Sequence, residues 1–134
     1  MFAQKLFEIL NENYSQNEIK LTIVVVKLNT SVHFFENNGN DTTNALPGTI
    51  VTKDIVSSDK EFYIMSQYLK EGTTAPTNYK IIYTNSAMQE EELQELIFSQ
   101  CFNYFNWTGS IKVPGIVQYS KKAAKFKSKV FKET

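Results

Sequence analysis

Three segments in the middle of the chain decide the fold: PGTIV at residues 47–51, FYIMS at 62–66 and GTTAPTNY at 72–79. The first two belong to strand-like runs, and the four residues between these runs, 57–60, are of the types that form turns. This arrangement predicts an antiparallel hairpin. After the loop that opens the third segment, residues 78–83 place Tyr79, Ile81 and Tyr83 on one face and the two residues between them on the other, which indicates a further strand.

On the N-terminal side, an amphipathic helix is expected at residues 2–13, because apolar residues recur there at helical spacing. The nearly unbroken β-branched run at 21–26 predicts a central strand buried on both faces. Residues 36–46 are rich in Asn, Thr and Gly without periodicity, so we expect an exposed, flexible loop there.

On the C-terminal side, Ser86 is expected to cap a helix, with Gln89 three positions later. Glu90–Glu92 would lie in its first turn, where the positive end of the helix dipole stabilises negative side chains. A final basic helix is predicted at 114–131. Its apolar residues recur at 3-4-3-4 spacing, with lysines on the broadly opposite face. Strands mixed with helices in this order predict an α/β layer structure.

The length and the charge of the chain limit the classes of protein to which it can belong. The 134 residues make one domain at most, and the single cysteine, Cys101, excludes both a disulfide scaffold and a cysteine-based zinc cluster. No apolar run approaches the roughly 18 residues of a membrane span, so no membrane partner is expected, and we predict a cytoplasmic or nuclear protein. The net charge is zero, yet residues 112–134 hold seven lysines and one acid, a charge distribution that suits phosphate.

The three central segments resemble, in order and spacing, the PGTVV, DFYLVS and GT-x-x-PTHY segments of the PIWI domain of Argonaute proteins. Residues 106–114, NWTGSIKVP, followed by Gln118, Tyr119 and Lys122, are similar to the NWPGTIRVPAP-x-QYAHKLA run of the Piwi clade. The linked motifs cover most of residues 23–126. The resemblance implies an RNase H-like α/β fold, a mixed sheet with flanking helices, in which residues 1–134 are the C-terminal part of a PIWI domain.

The resemblance also bears on catalysis. Slicing members of the family cut a paired target with two metal ions, and their catalytic carboxylates precede the region resembled here. The family's fourth ligand is usually the histidine of PTHY, and the matching position is Asn78. A neutral amide is a weaker ligand that adds no charge, so we expect no slicing by this chain and no cofactor. Mg²⁺ or Mn²⁺ is expected only if a longer chain completes the site. A structural role, in which Asn78 forms hydrogen bonds with the nearby backbone, is an equal alternative to a metal contact.

The positions that contact RNA in the family match this sequence better than the metal-ligand positions do. In the family, the positions of Gln67, Lys112, Tyr119 and Lys122 lie on the groove that follows the guide backbone near its 5′ end, and these side chains suit phosphate. Lys121 departs from the family, because it replaces the usual histidine of QYAHK. A solvated Lys112 and a core-packed Tyr119 remain the alternatives.

Two hypotheses follow for function. The first is RNA binding as part of a Piwi-type Argonaute in small-RNA-guided silencing, with guide RNA, and possibly target RNA, as partners. The second is a truncated PIWI remnant that acts as a protein-interaction module. It is motivated by the open sheet edge that a half-domain leaves, which the remaining Argonaute domains or a partner protein would have to cover.

Overall fold

The computed structural model describes residues 2–13, 19–69 and 71–131, without the side chains of residues 2, 3, 7 and 13. Lys132, one of the lysines expected opposite the apolar face of the basic helix, therefore lies outside the described residues, as do residues 133 and 134. The elements, in chain order, are α1 (Phe2–Asn13), β1 (Thr22–Lys27), β2 (Phe35–Asn37), β3 (Thr42–Asn44), β4 (Thr49–Val51), β5 (Glu61–Met65), β6 (Thr77–Thr84), α2 (Glu90–Gln100) and α3 (Gly115–Val130).

Strands β4, β5, β6 and β1 form one antiparallel sheet, in the order β1-β6-β5-β4. The predicted hairpin is present as β4 and β5, although both strands are shorter than the apolar runs suggest. Phe62 faces Tyr79 across β5 and β6, and their nearly parallel rings are 5.5 Å apart. With Ile64, and with Ile97 from α2, these residues form the buried core. Helix α2 therefore packs against this face of the sheet.

The expectation that residues 21–26 form a central strand, buried on both faces, is wrong for the described part of the chain. Strand β1 is the edge of the sheet, and only β6 pairs with it among the described residues. Most of β1 is half-buried, and Val25 is exposed. The apolar composition gives both faces of the strand a tendency to be buried, but composition does not supply a neighbour for its outer edge.

The expectation of an irregular loop at 36–46 is also corrected. Strands β2 and β3 form a small antiparallel hairpin with Phe35 opposite Asn44. Gly39 has a φ of 85° in the connecting turn, and Asn37 Oδ1 accepts a hydrogen bond from the Gly39 N–H. The hairpin is mostly exposed. Polar residues on both of its faces produce no alternation of apolar residues, which is why the pattern predicts a loop.

Helix α2 begins three residues later than the Ser86 cap predicts. Gln89 occupies the N-cap position, and its N–H donates to Glu92 Oε2 at 3.0 Å. Ser86 instead accepts a hydrogen bond from the Met88 N–H, a backbone group in the turn before the helix. The three glutamates fill the first turn as predicted, where the helix dipole favours them.

The predicted basic helix is present as α3, but little of it packs against the rest of the described chain. Pro114 is its N-cap residue, and Gly115 is buried against the backbone of Asn103, where a Cβ would lie 2.3 Å from the carbonyl oxygen. From Tyr119 to Phe131 every residue is exposed. Across the described ranges, no helix is both long enough and apolar enough to cross a membrane.

Candidate nucleic-acid interface

A polar cleft of about 380 Å³ lies where the ends of β1 and β5 meet the start of α3. It contains two of the predicted RNA-binding side chains, Gln67 and Lys112. Its full lining is Leu28, Asn29, Gln67, Ile111, Lys112, Val113, Gln118 and Lys121. Two lysines and three amides face the cleft and no carboxylate does, so its charge favours an anion that accepts hydrogen bonds.

The wall that carries Lys112 is fixed by buried hydroxyl groups. Thr77 is fully buried, and its Oγ1 donates to the Lys112 carbonyl oxygen at 2.7 Å. The Ser66 hydroxyl, also buried, donates to the Ile111 carbonyl oxygen at 2.9 Å. On the other side, the Ile111 N–H donates to the Cys101 carbonyl oxygen at 2.9 Å. Because loss of a buried partner leaves a polar group unsatisfied, these bonds hold the segment in one position.

The other two predicted RNA-binding residues, Tyr119 and Lys122, lie in a separate cluster around Tyr104. The Phe105 N–H donates to Tyr119 Oη at 3.0 Å, and the Tyr104 and Tyr119 rings are 5.3 Å apart. Lys122 Nζ donates to the Tyr104 hydroxyl and lies 5.0 Å from the centre of its ring. This hydrogen bond is the main cause that lowers the pKa of the Tyr104 phenol. The structure therefore divides the four predicted residues into two pairs.

Asn78 lies on the sheet face opposite to the Tyr79 ring, and it is only 4% exposed. Its Nδ2 donates to Glu61 Oε1 at 2.9 Å. The second Glu61 oxygen accepts hydrogen bonds from the Ser57 N–H at 2.7 Å and from the Ser57 hydroxyl. The Ser57 hydroxyl is the largest cause that holds the pKa of Glu61 below its ordinary value of 4.5. Asn78 thus presents an amide donor to a carboxylate that has other partners.

The family model for the Piwi domain matches residues 3–132. The chain belongs to the Piwi domain family. Piwi-like protein 1 of Gallus gallus is 37% identical over 106 residues, which cover 78% of this chain and 12% of that protein. Protein piwi of Drosophila melanogaster is 33% identical over 126 residues, 91% of this chain and 14% of that protein. The chain therefore spans a small part of these relatives.

The crystal structure of Drosophila Piwi matches this fold with a TM-score of 0.78 at 32% identity, over 92% of this chain and 17% of that one. The predicted PIWI-type α/β fold is confirmed by this match. The predicted membership of the Piwi clade is confirmed by the relatives, which are Piwi proteins.

The described residues of this PIWI chain do not by themselves fit a two-metal centre. Its described residues contain no group of three or more His, Cys, Asp or Glu side chains that could hold a metal ion. Mg²⁺ requires several oxygen ligands, usually including carboxylates. Asn78, at the position that resembles the family's histidine, can offer a cation only its neutral amide oxygen, because its amide nitrogen is a donor and binds Glu61.

The sequence prediction missed Asn29, Gln118 and Lys121 as lining residues of the polar cleft, and Tyr104 as the centre of the second cluster. A signal for two of them exists in the sequence. Gln118 and Lys121 are three residues apart on a helix that follows Lys112 directly, so they share a face close to it. Helical spacing would extend the apolar stripe of α2 to Tyr104, but that helix ends at Gln100.

Proposed function

We propose that this chain forms part of the RNA-contacting surface of a Piwi-type Argonaute that acts in small-RNA-guided silencing. The observation that carries the proposal is the polar cleft, in which Gln67, Lys112 and Lys121 converge without a carboxylate in its lining. The expected ligand is the backbone of the guide RNA, because lysines and amides bind phosphate oxygens without reading the base sequence. The fixed backbone of Lys112 gives the contact a defined position.

The proposed role is binding without slicing by this chain. Its support is the donor set at Asn78 and Glu61, which lacks the charge that two hard cations require. We expect no metal cofactor for the residues described here. Mg²⁺ or Mn²⁺ would enter only through carboxylates supplied from outside them. Mg²⁺-dependent cleavage of a paired target by a protein whose only nearby acidic residues are those of this chain would contradict this part of the proposal.

The test is the salt dependence of RNA affinity, measured for the full protein that contains this chain with a single-stranded RNA carrying a fluorophore. Lys112→Ala should weaken binding to all sequences alike and reduce the slope of log K against log salt by about one unit. Lys125→Ala is the matched control, since it removes the same charge one helical turn beyond Lys121 and outside the cleft lining. Equal effects of the two substitutions would contradict a specific role for the cleft.

A second candidate, an interaction module, is favoured by one observation. The outer edge of β1 has no partner strand among the described residues, and Val25 on it is exposed. Unpaired N–H and C=O groups on such an edge readily pair with another chain or another part of the same chain. An immunoblot with an antibody against residues 112–134 separates the two candidates. A band far above 15.4 kDa favours an Argonaute, and one near 15.4 kDa favours the module.

A further inference from the structure

A second cavity, of about 520 Å³, opens between the β2–β3 hairpin and the segment after β5. Its volume lies within the usual range for small-molecule sites. The lining residues are Phe35, Thr42, Thr43, Asn44, Leu46, Tyr68, Leu69, Gly72 and Thr73. None of these side chains carries a charge, so this cavity differs in chemistry from the lysine-lined cleft. None of them belongs to the four residues predicted to bind RNA.

One residue ties the two walls of this cavity together. Asn44 Nδ2 donates to the Gly72 carbonyl oxygen at 2.7 Å, and the Thr74 N–H donates to Asn44 Oδ1 at 3.4 Å. The nitrogen and the oxygen of the Asn44 amide are therefore both hydrogen-bonded, to residues 28 and 30 positions later in the sequence. Gly72 has a φ of 84°, a conformation that glycine adopts without a steric cost. The cavity is consequently a formed feature of the fold.

Two aromatic side chains line this cavity and remain open to solvent. Phe35, whose ring stacks on His33 at a centroid distance of 6.4 Å, is 53% exposed, and Tyr68 is 59% exposed. Exposed aromatic faces are stacking surfaces for nucleobases, and such stacking tolerates any base because every base has a π face. The hydroxyl groups of Thr42 and Thr73 make no hydrogen bond within the described residues, so they are available to the polar edge of a base.

The cavity and the polar cleft share the segment that follows β5. Gln67 lines the cleft, and the next residue, Tyr68, lines the cavity. Their Cα atoms are separated by about 3.8 Å, the distance across a trans peptide. The segment after β5 therefore contributes one side chain to a lysine-lined cleft and the next to an aromatic, uncharged cavity, and these are the two chemistries that bind the phosphate and the base of a nucleotide.

We propose that the cavity accepts an unpaired base of the RNA whose phosphates lie in the polar cleft, with the base in contact with the rings of both Tyr68 and Phe35. This inference rests on the proposed function and adds a contact that is independent of charge. The threonine hydroxyls meet the edge of the base, and the preference among bases is weak, because stacking dominates the contact.

The test is RNA affinity at several salt concentrations for Tyr68→Ala and Phe35→Ala in the full protein, with a single-stranded RNA as the probe. Each substitution should weaken binding about tenfold without changing the salt slope, since no phosphate contact is lost. Tyr68→Phe, which retains the ring, should bind like the wild type. Both aromatic side chains are largely exposed, so their truncation leaves the core intact, and an unchanged melting temperature checks this. An RNA carrying 2-aminopurine should lose fluorescence on binding, and the loss should disappear in Tyr68→Ala.

The failures of the two proposals are distinguishable. If Tyr68→Ala and Phe35→Ala bind RNA like the wild type while Lys112→Ala still lowers the salt slope, the base cavity is wrong and the proposed function stands. If the wild type shows no salt-dependent RNA binding, both are wrong. If Tyr68→Ala abolishes binding of a partner protein and leaves RNA affinity unchanged, the cavity binds a protein side chain and the inference is overturned.

Discussion

The centre of the sheet and helix α3 have equally clear apolar patterns, but they are buried to very different degrees. Phe62, Ile64 and Tyr79 on β5 and β6 are almost completely buried. On α3, Ile116 and Phe126 recur at helical spacing, yet Phe126 is 71% exposed. A periodic pattern places side chains on one face of an element. Whether that face is buried depends on a second surface, and for α3 the described chain supplies little of it.

The largest effect expected from this difference concerns two phenylalanines. Phe62→Ala should lower the free energy of unfolding by about 3–5 kcal/mol, because it removes a ring from the packed core. Phe126→Ala removes the same atoms from an exposed site and should change it by less than about 0.5 kcal/mol. Denaturant unfolding of both variants measures the contrast. A large loss for Phe126→Ala would show that a surface outside the described residues covers α3.

The next effect concerns the hydrogen bond that connects the sheet to the segment before α3. Thr77→Val keeps the shape of the side chain but leaves the Lys112 carbonyl without its buried donor, so it should destabilise the protein by about 1–3 kcal/mol. Thr77→Ser retains the hydroxyl and should recover most of this loss. The measurement is again denaturant unfolding. If the valine variant is as stable as the wild type, the hydrogen bond does not hold this segment.

A smaller effect is expected at the edge of β5, where Glu61 accepts hydrogen bonds from Ser57 and Asn78. Because these bonds lower the pKa of Glu61, the folded state binds its proton less readily than the unfolded chain does. The stabilisation is present above about pH 4.5 and is lost as the pH falls through the lower, folded-state pKa. Glu61→Gln should therefore lose less stability than the wild type on acidification below pH 4.5.

Thermal unfolding between pH 6 and pH 3 measures this pH dependence. Glu95→Gln, at an exposed position of α2, is the matched control and should follow the wild-type curve. A Glu61→Gln curve parallel to that of the wild type would contradict the assignment.

The smallest expected effect concerns one of the few contacts between α3 and the segment before it. Lys122 donates a hydrogen bond to the Tyr104 hydroxyl and thereby lowers the pKa of that phenol. Lys122→Met should raise the pKa of Tyr104 toward its ordinary value of about 10. Ultraviolet titration, compared with a Tyr104→Phe variant to assign the signal, measures this change. An unchanged tyrosine titration would mean that α3 does not make this contact in solution.

The sequence predicts well those features that depend on local pattern. The β4–β5 hairpin, β6 and the basic helix follow from alternation, turn residues and helical spacing, and the linked motifs predict the PIWI-type fold. Features that depend on distant partners were predicted less well. The edge position of β1 follows from which strands pair, and the β2–β3 hairpin is held by polar contacts that give no apolar period.

The candidate site shows the same division. The resemblance selects Gln67 and Lys112, which the structure brings together, and Tyr119 and Lys122, which it places in another cluster. Successive residues on a helix differ by about 100° in direction, so neighbours in sequence such as Lys121 and Lys122 can serve different surfaces. The hydroxyl groups of Ser66 and Thr77 could not be predicted, because their partners lie 45 and 35 residues away.

The most direct test of the central claim, that the polar cleft contacts the RNA backbone, is cross-linking of the bound protein to RNA with identification of the linked residues by mass spectrometry. RNA contact in the cleft predicts cross-links at the residues that line it, above all Gln67, Lys112 and Lys121, and few at Lys125 and Lys129 on the exposed part of α3. Cross-links confined to Lys125 and Lys129 would contradict it, because RNA would then bind the charged helix rather than the cleft.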